Sequence, residues 1–202
     1  MSYRNDVDLT EISFDEFPHY PSKLRSKIIH DPELLKVMVR KMISKKRYAH
    51  SLSVADTARH LAKCHHVDEE KAYIAGLLHD VTKDLSKEEQ DNYLRYYDPE
   101  KLDYPEKVKH SFTAKYFLRE RCHFHDKDIL HAIYNHTICT GRDKLSLILY
   151  IADKREPLRG VEDDILKIAE KDLYKAFEKL EGDVKKYLKN RGTDERIIEN
   201  SL

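Results

Sequence analysis

The sequence predicts an all-α fold. Apolar residues recur at i, i+3, i+4 and i+7 over several long stretches, the spacing of one helix face. Charged residues make up 37 % of the 202-residue chain, which has only 5 Gly and 6 Pro. That composition belongs to amphipathic helices rather than to turn-rich β-structure. No convincing strand pairing and no internal repeat can be read from the chain.

Each element has its own signal. Residues 1–30 are polar, and Pro18 and Pro21 interrupt any periodicity, so this stretch is expected to be irregular. Asp31 and Pro32 open a helix, as N-cap and first helical residue. A strong helix covers about 44–64, with Leu52, Ala55, Ala58 and Ala62 as its apolar stripe. Asp68 caps the next helix, where Glu69 and Glu70 complement the dipole and Ala72, Ala75, Leu78 and His79 follow. Ser86 caps a short helix that stops before Asp98-Pro99. A further helix spans about 105–121, with His110, Ala114 and Phe117 on one face. The helix from Asp126 carries Ile129, Ala132, Ile133 and His136 at i, i+3, i+4 and i+7. The next holds Leu145, Leu149, Ala152 and Asp153 before Pro157. A final helical periodicity runs over about 161–189 through Ile165, Ile168, Ala169, Leu173, Phe177, Leu180, Val184 and Leu188, with Gly182 expected to break it.

Composition narrows the function. The 37 basic and 37 acidic side chains cancel, so there is no electrostatic reason to expect nucleic acid or an acidic membrane surface as partner. No apolar run approaches the 18 or so residues that span a bilayer. The N-terminus lacks an apolar signal core, which argues against export. Cys64, Cys122 and Cys139 are few and widely spaced, and read as reduced thiols of a cytoplasmic protein.

The chemistry gathers on one set of residues. His79 and Asp80 are adjacent, and His50, His110, His136 and Asp153 lie on or beside inward faces of other predicted helices. A single such histidine is usually a hydrogen-bonded core residue. Burying six ionisable groups without partners would cost several kcal/mol each, so they are either an extended hydrogen-bonded network or the ligands of a metal site. Imidazole and carboxylate together suit a borderline transition metal. The other eight histidines (His19, His30, His60, His65, His66, His123, His125 and His131) fall in loops, at helix ends or off the apolar faces, and read as surface residues. The run Cys122-His123-Phe124-His125 lacks a second ligand pair at zinc-site spacing.

The order of these residues, His50, then His79-Asp80, then Asp153, resembles the H…HD…D pattern of the HD-domain metal-dependent phosphohydrolases. The finer resemblance is to the YqeK branch, the symmetrical dinucleoside tetraphosphatases. It is carried by RYAHSLSVADTA at 47–58, AGLLHDVTKDL at 75–85, the His110 helix, AIYNHT at 132–137 and LYIADKREPLRG at 149–160. Two places depart from it: the segment 138–144, ICTGRDK, is spaced differently, and Lys154-Arg155 stands where Tyr-Ile is more usual. HDVTKD also lacks the His-Asp-x-x-Glu-Asp form of guanosine-tetraphosphate hydrolases.

The resemblance implies an HD-domain helical bundle over 31–160, with 161–202 as an additional helical segment packed on it. It implies two metal ions. His50, His79, Asp80 and Asp153 would hold one, His110 and His136 the second, with Asp80 bridging. It suggests iron, while the donor set also suits manganese, cobalt or zinc. The substrate implied is a dinucleoside tetraphosphate such as diadenosine tetraphosphate, cleaved to two nucleoside diphosphates. Asp80 and Lys83 would be catalytic, Lys83 following Asp80 by about one helical turn and offering its ammonium to phosphate. Arg47, Thr137, Arg142 and Arg159 are candidate substrate contacts, though each is equally readable as a cap or surface residue. The alternatives are a nucleotidase or phosphodiesterase acting on mononucleotides or signalling nucleotides, and a non-catalytic nucleotide-binding regulatory module. Members of the family are sometimes fused to a nicotinate-nucleotide adenylyltransferase domain, for which the stretch before His50 is too short. The oligomeric state, a homodimer being one option, is not fixed by sequence.

Overall fold

Small residues set how closely the central helices meet. In α3 (Lys45–Cys64), Ala55, Ala58 and Ala62 are fully buried. They face α4 (Glu69–Leu78), and α3 and α4 form the most extensive helix pair. Gly76 makes the crossing possible, because a Cβ there would stand 2.5 Å from the Ala55 Cα. The structure is a computed structural model that describes residues 19–20, 22–162 and 164–190, with only the helical backbone described for 183–190. Among the described residues every regular element is helical, and no helix is long and apolar enough to cross a membrane.

The helices precede and follow this pair in chain order. Ahead of it lie α1 (Ser22–His30) and α2 (Pro32–Met42), and after it α5 (Lys87–Tyr97), α6 (Glu106–Cys122), α7 (Lys127–Asn135), α8 (Lys144–Arg155), α9 (Ile165–Ala169) and α10 (Leu173–Asn190). The expected caps are in place. The side chains of Asp31, Asp68 and Asp126 accept from backbone amides of the first turns of α2, α4 and α7. Ser86 and Glu89 form a reciprocal capping box on α5. Helices α3, α4, α7 and α8 enclose the main core, built from Val54, Leu61, Leu77, Leu78, Ile129, Ile133, Ile148 and Leu149 among others.

Three expectations are corrected. The stretch up to residue 30 is not irregular throughout: Ser22–His30 is a helix that buries Ile28 and Ile29 against α2. Pro18 and Pro21 precede its first turn, where proline does not break a helix. Residues 1–18, also expected to be irregular, lie outside the described residues. Second, Gly182 does not break the last helix; α10 runs through it to Asn190. The interruption comes instead between α9 and α10, where Asp172 accepts from the Lys175 amide at 3.0 Å and caps α10. An exposed helical glycine costs only about 1 kcal/mol, which the buried Leu173, Phe177 and Leu180 outweigh. Val184 and Leu188 lie outside the described side chains. Third, α4 does not persist as far as Lys83. The chain leaves it at Leu78 in successive tight turns, with Val81 bonded to Leu78, Lys83 to Asp80 and Leu85 to Thr82.

Candidate metal centre

Helix ends aim two of the histidines. His79 is the C-cap of α4 and His136 the C-cap of α7, positions where the last carbonyls have no helical partner. Each ring uses one of them: His79 Nδ1 donates to the Gly76 carbonyl and His136 Nδ1 to the Ile133 carbonyl, both at 2.7 Å. With Nδ1 donating to its own helix, Nε2 of each ring points away from that helix. His50 comes from the second turn of α3, His110 from α6 and Asp153 from α8. Asp80 follows His79 directly.

These groups converge. Donor atoms of His50, His79 and Asp153 lie within 4.8 Å of one another, as do those of His79, Asp80 and His136. Asp80 Oδ1 is 3.2 Å from His110 Nε2 and 3.7 Å from both His79 Nε2 and His136 Nε2. Asp153 Oδ1 is 3.1 Å from His50 Nε2 and 3.7 Å from His79 Nε2. The Nε2 atoms of His110 and His136 are 3.1 Å apart.

The electrostatics favour ligand-competent forms at His79, His110, Asp80 and Asp153, whereas at His50 burial is outweighed by hydrogen bonds to Asp153 and Glu156, which raise its pKa. Burial pushes His79 down to about 4 and His110 down to about 3, so both are neutral at pH 7. Burial alone would raise Asp80 and Asp153. The facing His79 and hydrogen bonds from His110 and His136 outweigh it for Asp80; a hydrogen bond from His50 and the Lys154 charge do so for Asp153. Both carboxylates are therefore held well below their ordinary range. His79 Nε2 is buried and has no hydrogen-bond partner, an arrangement that is costly for a polar atom unless something binds it. Fixed tautomers, ionised carboxylates and this orphaned nitrogen fit a transition metal. The His and Asp clusters can thus hold metal.

A cleft of about 640 Å³ opens over this cluster, lined by Arg47, His50, Asp80, Lys83, His110, Thr137, Asp153, Glu156 and Arg159 among others. Lys83 Nζ donates to the Lys107 carbonyl at 3.0 Å and to His110 Nδ1 at 2.8 Å. Arg47 is held by two carboxylates, Asp80 Oδ2 at 2.8 Å and Asp84 Oδ1 at 2.9 Å. Arg159 reaches Asp153 Oδ1 at 2.8 Å. Thr137 shares a 2.6 Å hydrogen bond with Ser111. Arg142 is not part of the cleft: its guanidinium lies over the Phe177 ring at 4.4 Å, because the 138–144 connection runs beside α10.

Two residues of the site were not expected. Glu156 is 2 % exposed and places Oε1 3.0 Å from His50 Nδ1. Burial raises its carboxyl, but hydrogen bonds from Ser53, His50 and the Leu158 amide hold it below the usual range. Lys154 lies over the Tyr150 ring and donates to the His136 carbonyl at 3.1 Å. Burial lowers its pKa, against the pull of Asp153. Helical periodicity does carry a signal for Lys154, which falls three and four residues after the inward Ile151 and Tyr150; none marks Glu156, which follows the helix. None of the eight histidines read as surface residues is buried. In the 122–125 run, Cys122 and Phe124 are buried while His123 and His125 are exposed.

Comparison with known proteins accounts for this arrangement. The HD domain family matches residues 47–158, more than half of the chain, from Arg47 to Leu158. A "Probable nicotinate-nucleotide adenylyltransferase/Ap4A hydrolase" of Mycoplasma genitalium is 36 % identical over 67 % of this chain and 41 % of its own length. A counterpart from Mycoplasma pneumoniae is 30 % identical over 81 % and 50 %, so the chain spans half or less of these two relatives. A "Bis(5'-nucleosyl)-tetraphosphatase, symmetrical" of Halalkalibacterium halodurans is 36 % identical over 62 % of this chain and 70 % of its own. Among solved structures, a predicted HD superfamily hydrolase involved in NAD metabolism from Clostridium acetobutylicum superposes with a TM-score of 0.68. It is 30 % identical and the match covers 87 % of this chain and 90 % of that one. With the matched segment containing all six converging side chains, α4, α6, α7 and α8 in full and all of α3 but its first two residues, the chain belongs to the HD domain family.

Proposed function

We propose that this chain is a metal-dependent hydrolase that cleaves dinucleoside tetraphosphates, diadenosine tetraphosphate among them, symmetrically into two nucleoside diphosphates. The observation that carries the reading is the cleft itself: inward-facing Nε2 and carboxylate oxygens on its floor, with Lys83, Arg47 and Arg159 around them. Names borne by relatives from Halalkalibacterium halodurans, Bacillus subtilis and Staphylococcus aureus supply the substrate and the symmetry of cleavage. Three cysteines without disulfides agree with a cytoplasmic location.

In this reading His50, His79, Asp80 and Asp153 hold one ion and His110 and His136 the other, with Asp80 shared; iron is the first choice, then manganese, cobalt or zinc. Such ions supply a hydroxide from bound water near neutral pH and polarise a phosphoryl oxygen. The protein's own groups do the rest. Asp80 Oδ2 is tied to Arg47, so Arg47 orients Asp80 and Asp84 anchors Arg47 in turn. His110, as a ligand through Nε2, carries its proton on Nδ1. Lys83 would then lose the nitrogen it now bonds and, while still donating to the Lys107 carbonyl, would have an N–H to turn to phosphate. Arg159 and Thr137 line the same cleft for further phosphate oxygens.

Symmetrical cleavage requires attack at an inner phosphorus with the central bridging oxygen leaving as part of a nucleoside diphosphate. Chromatography of the early products of diadenosine tetraphosphate tests this. ADP alone is expected. AMP and ATP in equal amounts would refute the symmetry, and no turnover by metal-loaded protein would favour a binding module.

A further inference from the structure

We propose that Glu156 is a positioning residue that fixes the tautomer and orientation of His50 in the metal centre. The inference rests on the metal-centre reading and concerns a residue that reading does not use.

His50, His79 and His136 solve the same problem differently. A ring that binds metal through Nε2 needs an acceptor at Nδ1–H. His79 and His136 find one on their own helices, because they sit at C-caps where the carbonyl at i−3 is within reach of Nδ1. His50 lies well inside α3, whose carbonyls at this point are engaged in helical hydrogen bonds. It has no backbone acceptor to use, so the acceptor has to come from another segment.

Glu156 provides it. Its Oε1 stands 3.0 Å from His50 Nδ1. Asp153, three residues earlier, places Oδ1 3.1 Å from Nε2 of the same ring. One segment at the end of α8 therefore holds both ring nitrogens. With Nδ1–H donated to Glu156, Nε2 is the nitrogen that faces Asp153 and His79, where their donor atoms gather; it donates to Asp153 in the metal-free protein and would offer its lone pair there once an ion displaces that proton. The 106-residue separation between His50 and Glu156 means that only the fold brings them together.

Glu156 has a second, structural task. Its Oε2 accepts from the Leu158 amide at 2.6 Å and caps the short 3₁₀ turn Pro157–Arg159. The two tasks separate by substitution. Aspartate can still cap the turn but is one methylene too short to keep the His50 contact as well. Glutamine keeps the reach and an acceptor oxygen but not the charge.

The experiment titrates metal-free protein with Mn²⁺ against a chromophoric chelator and measures the melting temperature without metal. Wild type, Glu156→Asp, Glu156→Gln and His50→Ala are compared. Loss of such a supporting partner commonly weakens metal affinity about 10–100-fold. Glu156→Asp is expected to show that loss with the metal-free melting temperature close to wild type, and Glu156→Gln a smaller loss. Wild-type Mn²⁺ affinity in Glu156→Asp, with affinity lost in His50→Ala, would overturn the positioning role and leave Glu156 as a cap. Equal Mn²⁺ binding by wild type and His50→Ala would overturn the metal-centre reading, and this inference with it.

Discussion

Lys83 is the side chain whose function and surroundings are easiest to separate. It donates to the Lys107 carbonyl and His110, yet none of the converging carboxylates depends on it for a direct hydrogen bond. Lys83→Ala should therefore leave metal content intact while kcat/KM for diadenosine tetraphosphate falls about 100-fold or more, the usual scale for losing one such charge contact. Elemental analysis beside steady-state kinetics checks it; wild-type kinetics would return Lys83 to a merely structural role. The residue scale is also where the sequence was most legible. His50, His79, Asp80, His110, His136 and Asp153 announced themselves because ionisable groups on apolar faces need a reason to be there. Glu156 did not, since a glutamate between a helix end and Pro157 reads as a solvated carboxylate and its partner is remote in sequence. Arg142 misled for the converse reason. Nearness in sequence to His136 does not set the direction of a side chain in the 138–144 connection, and Phe177 of α10 took it.

At the scale of elements, the α3–α4 crossing makes the sharpest demand. Alanine is favoured over glycine within a helix by about 1 kcal/mol, so Gly76→Ala would stabilise α4 in isolation. In the fold, the new Cβ meets Ala55 Cα at 2.5 Å and Ala55 N at 2.8 Å. These are backbone atoms that cannot swing aside. Overpacking of this kind costs about 1–3 kcal/mol or more, and the close approach of 2.5 Å puts it at the upper end. The melting temperature should fall, by roughly 2–4 °C for each kcal/mol in a chain of this size; an equal or raised value would show that α3 and α4 can separate freely. His79 and Asp80 follow directly from α4, so the same variant should also weaken metal binding. Element starts were legible at Asp31, Asp68, Ser86 and Asp126, though not at Asp143 or Asp172, which also cap helices. Ends were legible where the break signal is strong, as before Asp98-Pro99; the first helix and the interruption within 161–189 were not. Burial of Ile28 and Ile29 turned residues after Pro21 into α1, and burial of Phe177 and Leu180 carried α10 through Gly182. Tertiary packing overruled the local signal in both.

For the whole molecule, the C-terminal helices test where the folding unit ends. Leu173, Phe177 and Leu180 are each no more than 3 % exposed, and α9 and α10 pack on α8, which carries Asp153. Each such side chain is worth about 1.5–3 kcal/mol buried, against a total stability of about 5–15 kcal/mol. Truncation after Gly160 should thus lower the melting temperature by roughly 10 °C or more, or cause aggregation. An unchanged melting curve would show that the segment is dispensable.

The scattering of the proposed ligands along the chain bears on how the protein acquires its metal. His50 and Asp153 are 103 residues apart, and only His79 and Asp80 are neighbours. Of the proposed ligands, an unfolded chain offers an ion at most that single pair, and loop-closure entropy opposes gathering the others one at a time. The completed binding site is a late product of folding, so loading follows it. Metal identity is then decided by the finished cleft and by which ions are at hand when it first closes. Because the ion binds the native form and hardly the unfolded one, its free concentration enters the folding equilibrium directly. Starving the protein of metal should shorten its lifetime against proteases as well as silence it.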